Sequence, residues 1–197
     1  MSLRHNVLRA GRPAALALTT VGIAGGLLAG LPAAADAATP QVHPDGYVTV
    51  DSCSSVSGSI HFTPGLRKTL ARQTSAVLTG TTSGCSDEFS GAMPGSGSFS
   101  AVLSGKASLA AENFTGTFTI NWPGGTLNPS NGTLGVQALG NHQYHVSGTV
   151  TSGADTGSVL SFGYLTTSQK GTGTKAHPVT SQQFVNTAPL ALARNLG

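Results

Sequence analysis

The sequence predicts an all-β fold, an antiparallel β-sandwich or flattened barrel of about eight strands with one disulfide. Three observations predict it. Two-residue alternation of apolar and polar residues, bounded by Gly, Pro, Asn and Ser, recurs every ten to fifteen residues. Helical periodicity is almost absent after the first forty residues. The two cysteines, Cys53 and Cys85, bracket the first alternating segments.

The chain begins with the three-part layout of a secretory signal peptide. Arg4, Arg9 and Arg12 form a basic stretch, residues 14–31 an apolar run, and residues 33–38 a small-residue segment. Ala35 and Ala37 flank Asp36, so cleavage is expected after Ala37, giving a leader over 1–37 and a flexible segment over 38–45. The run of about eighteen residues is at the lower edge for spanning a bilayer and carries several glycines, so release rather than stable membrane insertion is expected. The formal charge of +3 falls to about +1 once Arg4, Arg9, Arg12 and Asp36 are removed. The only basic cluster left is Arg67, Lys68 and Arg72, which reads as a solvated loop, so nucleic acid is not an expected partner.

Export places Cys53 and Cys85 where thiols oxidise, and a disulfide is expected rather than a reactive or metal-binding pair, which would show closer spacing. The β domain is expected over 46–166. Its clearest strand sets Phe114, Gly116, Phe118, Ile120 and Trp122 on one face and Thr115, Thr117, Thr119 and Asn121 on the other, ending at Pro123 and Gly124. A second sets Tyr144, Val146, Gly148 and Val150 against His145, Ser147, Thr149 and Thr151. Weaker segments lie at 47–51, 59–62, 75–82, 98–103, 133–138 and 159–164. The inward Gly116 and Gly148 fit sharply bent or closely packed strands, which suits sandwich and barrel alike. Between the cysteines, Thr63 as a cap, Pro64 at the first helical position and Leu66 four before Leu70 suit a short helical turn, with an irregular loop as the alternative. Residues 167–197 read as a polar tail with room for one edge strand near Gln183, because so little apolar surface offsets little ordering entropy.

Cys53, the run Ile60-His61-Phe62-Thr63-Pro64-Gly65-Leu66, Gly84-Cys85, Gly116 to Trp122 and Gly148-Thr149-Val150-Thr151-Ser152-Gly153 together resemble a group of uncharacterised secreted actinobacterial β-rich proteins. The resemblance covers residues 50–165 and implies export and β structure; it transfers no catalytic residue. Relatives often carry a second cysteine pair in later strands, whereas here no cysteine follows Cys85.

Candidate chemistry is sparse. His142 and His145 are three apart, so on a strand they face opposite sides and can share an ion only if His142 lies in the turn, and no acidic or sulfur ligand is near them in sequence; no metal or cofactor is expected. A serine hydrolase would need a hydroxyl, a base and an orienting acid meeting in space, and His61 or His145 with Asp51 or Asp155 are the available members. No Gly-x-Ser-x-Gly elbow occurs. Asp87 and Glu88 are adjacent and diverge on extended backbone, which disfavours paired-carboxylate glycoside cleavage. Asn113 and Asn131 head glycosylation sequons, which a bacterial-type leader makes accidental. Phe118, Trp122 and Tyr144 are core residues by alternation and become ligand-lining residues only if the interior is hollow. The expected function is therefore a non-catalytic extracellular module acting on an unidentified partner or ligand. A small secreted hydrolase and a carrier of a small apolar ligand are the alternatives.

Overall fold

The computed structural model describes residues 47–87, 91–125 and 127–195, so the leader, the segment 38–45 and Glu88 lie outside the described residues. Eight strands follow in chain order: β1 (Tyr47–Leu66), β2 (Arg72–Asp87), β3 (Gly91–Ala107), β4 (Asn113–Asn121), β5 (Ser130–Gly140), β6 (Gln143–Ser152), β7 (Val159–Lys170) and β8 (Val179–Asn195). Each pairs antiparallel with its predecessor and β8 pairs with β1, closing the sheet into an up-and-down barrel without a free edge. Cys53 and Cys85 are cross-strand partners on β1 and β2 and form the disulfide, which places the folded chain in an oxidising compartment. No helix among the described residues is long and apolar enough to cross a membrane.

Alternation decides which side is core. On β4, Phe114, Phe118 and Ile120 are buried while Thr115 and Thr117 are exposed; on β6, Tyr144, Val146 and Val150 are buried while Ser147 and Thr149 are exposed. The outer wall is correspondingly a lattice of hydroxyls. Thr117, Thr133 and Thr149 stand abreast across three strands, as do Ser104, Thr115, Gly135, Ser147 and Ser161 across five.

Three expectations are corrected. The segments 47–51 and 59–62 are one 20-residue strand, β1, because a bulge between Cys53 and Ser57 shifts the two-residue period in mid-strand. Residues 63–66 continue β1 instead of starting a helical turn: Thr63 pairs with Ser75, and Leu66 is buried whereas Leu70 is 55 % exposed, so the two leucines share no face. The tail expected over 167–197 contains β8, which is paired on both sides and is no edge strand. Its inward residues Gln182, Phe184, Leu190 and Leu192 share one phase with Val179 one step out of it, but Gln182, Asn186 and Ala188 on that phase are polar or small, which hides the strand from an apolar period-two pattern.

At one barrel end the loops are stitched together, with Leu109 N donating to Arg67 O (2.9 Å), Lys68 N to Gly173 O (2.9 Å) and Ala138 N to Glu112 O (3.1 Å). At the other end the indole Nε1 of Trp122 donates to Ser130 Oγ (2.9 Å), whose hydroxyl donates to Ala154 O (2.8 Å).

Candidate functional site

Phe118, Trp122 and Tyr144 would be the lining residues if the barrel were hollow. All three are buried. Phe118 stacks at 6.0 Å on Phe99, which meets Phe162 edge-on at 5.4 Å. Tyr144 stacks at 4.8 Å on Tyr164, which meets Phe184 at 5.1 Å. Trp122 follows the end of β4 and Tyr144 stands at the start of β6, so the two sit toward opposite barrel ends. Phe118 and Tyr144 therefore pack against other rings as a core, Trp122 is buried at the far end, and the three do not converge on one site.

Beside Tyr144 lies a group that sequence reasoning missed. Glu112, 2 % exposed, enters the barrel after a tight reversal between Ser108 and Ala111. Its carboxylate accepts from Gln182 Nε2 at 3.3 Å and hydrogen-bonds the Tyr144 hydroxyl. Burial pushes its pKa up to about 7, against the lowering effect of those two bonds, and burial with the Glu112 charge raises both Tyr144 and Tyr164. The only signal in the sequence is a lone acid in an otherwise uncharged stretch. Because the folded state binds the proton more tightly than the unfolded chain, this group favours folding most below about pH 4.5 and loses that contribution as pH rises to about 7. Glu112→Gln is expected to remove a pH-dependent term on the order of 3 kcal/mol from urea-denaturation profiles between pH 4 and 7.5. An unchanged profile would contradict the assignment.

The members of a hydrolytic triad are not assembled. Asp51 and Asp155 lie together at the Trp122 end, whereas His61 is ten residues from Asp51 along β1, about 30 Å away on extended chain. His145 is at the start of β6, with Asp155 beyond its far end. His145 Nε2 does meet Ser161 Oγ at 3.3 Å on the outer wall. Among the described residues no carboxylate bonds its Nδ1, and no group of three His, Cys, Asp or Glu could hold a metal ion.

His145 and Ser161 belong to a groove of about 700 Å³ on the outer wall, spanning β6, β7, β8 and β1. Its origin is a pair of facing irregularities. The β1 bulge lies opposite a distortion of β8 at 186–189, where Pro189 has no N–H for the ladder. Asn186 ties the two: its Oδ1 accepts from Val56 N (3.0 Å), and its Nδ2 donates to Ser54 O (2.9 Å) and Ala188 O (3.2 Å). Gly163, Ala188, Ala191 and Ala193 keep the wall low there, and Tyr47, Leu139 and Val159 supply larger apolar surface, with Leu139 62 % exposed. Thr49, Gln143, His145, Ser161 and Thr187 supply hydrogen-bonding groups. Among the described residues, no acidic or basic side chain other than the imidazole of His145 lines it. Comparison with protein-family models, curated proteins and solved structures gave no match.

Proposed function

We propose that this chain is a secreted, non-catalytic binding module that holds a neutral saccharide in the outer groove between β6, β7, β8 and β1. The observation that carries the reading is the lining. A sugar presents hydroxyls at its edge and C–H groups on its face, and the groove offers Gln143, His145, Ser161 and Thr187 beside Tyr47, Ala188, Ala191 and Val159, with no carboxylate or ammonium among its described lining residues to favour a charged ligand. The leader expected over 1–37 and the disulfide support action outside the cytoplasm, as does the resemblance to secreted actinobacterial proteins. A barrel that crosses a bilayer turns apolar side chains outward. This one turns them inward and presents Thr115, Thr117, Thr133 and Thr149, which supports a wall facing water.

The two alternatives have less support. A hydrolase would have to use His145 and Ser161 without an orienting acid. A carrier of an apolar ligand would have to part rings already in contact. Calorimetric titration of the secreted chain with maltotriose, cellotriose and chitotriose tests the proposal. At least one is expected to bind, and Ala191→Trp, which fills the groove from an outward position, is expected to weaken it about tenfold or more. Binding unaffected by Ala191→Trp, no binding of any of the three, or turnover lost in His145→Ala would overturn it.

A further inference from the structure

The Trp122 end of the barrel gathers three carboxyl groups around one buried oxygen pair. Asp51 is 1 % exposed and stands directly opposite Asp87 in the β1–β2 register. The carboxyl of Asp155, from the loop joining β6 to β7, reaches Asp51 from above the barrel end. Among the described residues no N–H or O–H donates to either Asp51 oxygen. Arg194 of β8 faces the group, with its Nη2 3.9 Å from Asp155 Oδ1. Like charges packed this closely out of water cannot all ionise.

We propose that a proton held between Asp51 and Asp155 latches the β6–β7 loop onto the barrel end, and that the loop opens when this proton is lost to water. The loop tip is braced within itself, Ser158 N donating to Asp155 O (2.8 Å) and Thr156 Oγ1 to Gly153 O (2.8 Å), while Gly157 N to Val150 O (2.9 Å) and Val150 N to Ser158 O (2.9 Å) hold its base on β6. With the proton in place, Asp51 donates to Asp155 and the Arg194 pair completes the hold. Without it, Asp51 and Asp155 repel, with Asp87 adding to the repulsion, and the Arg194 pair and the Ser130–Ala154 bond are left to oppose opening of the loop tip. Burial is the largest cause of the high Asp51 pKa, pushed up to about 9, with Asp155 and then Asp87 adding to it, so release falls on the alkaline side of neutrality. The raised value also sets the sign for stability. The proton favours folding below about pH 3.8, and that contribution is lost as pH rises to about 9, by up to tenfold in the folding constant per pH unit.

The molecule carries its own reporter. Trp122 is the sole tryptophan, and Ser130 links its indole to the Ala154 carbonyl in this loop. The emission of Trp122 in the full secreted chain is expected to shift to the red between pH 7 and 9.5. Asp51→Asn and Asp155→Asn, in which an amide donates to the remaining carboxylate without a shared proton, are both expected to remove that transition. If Asp51→Asn does not fold, Asp155→Asn carries the test alone. Wild-type emission that is flat over this range, either folded variant titrating at the wild-type midpoint, or recovery of the low-pH emission at pH 9.5 on adding millimolar calcium would each overturn the proposal.

Discussion

Gly116→Ala is expected to cost about 4 kcal/mol or more, enough to remove most of the stability of a domain this size. Gly116 lies in mid-β4, and a Cβ there would sit 2.0 Å from the Val102 carbonyl oxygen and 2.8 Å from Leu103 Cα. Both atoms are backbone of β3, so relief requires separating two strands paired at seven positions, not rotating a side chain. Gly135 on β5 is the control: a Cβ there meets only Phe114 O, at 3.7 Å, so Gly135→Ala is expected to stay within about 0.5 kcal/mol of wild type. Urea denaturation followed by circular dichroism reads both. Equal stability of the two variants would contradict the close approach of β3 and β4.

Removing the disulfide is the second large effect. Cys53 and Cys85 are 32 residues apart in sequence, and cross-linking a loop of that size restricts the unfolded chain by about 3 to 4 kcal/mol on the chain-entropy account. Cys53→Ala with Cys85→Ala is expected to lower the urea midpoint accordingly, with a slope equal to or steeper than wild type because the unfolded chain is free to expand. A loss below about 1 kcal/mol would mean that the β1–β2 hairpin is already ordered in the unfolded chain.

What was legible in the sequence depended on unbroken period-two runs. β4 and β6 were legible because each alternates without interruption, so every inward residue from Phe114 to Ile120 and from Tyr144 to Val150 falls on the expected face. β1 and β8 were not: the bulges of β1 exchange its two faces part-way along, and the inward phase of β8 is occupied by Gln182, Asn186 and Ala188 between its few large apolar residues, so neither strand carries contrast. The count of about eight strands thus came from splitting β1 in two and leaving β8 in a tail. Closure itself was illegible, since it rests on β8 pairing with β1 across the whole chain.

The site followed the same division. His145 was visible as a polar outward residue of a regular strand, but its groove depends on Asn186 bridging two bulges about 130 residues from Ser54 and Val56. Glu112 and the Asp51–Asp155 contact are likewise products of loops folding over barrel ends, a long-range placement that no local pattern encodes.

The central claim is that ligand meets the outer groove and neither the ring-filled interior nor a catalytic centre. Backbone amide and methyl NMR shifts of the secreted chain, titrated with maltotriose, cellotriose and chitotriose in turn, test it most directly. Shifts clustered on Thr49, His145, Ser161, Ala188 and Ala191, with the oligosaccharide recovered intact, are the predicted result. Shifts clustered on Phe99, Phe118 and Tyr164, or cleavage of the oligosaccharide during the titration, would contradict it.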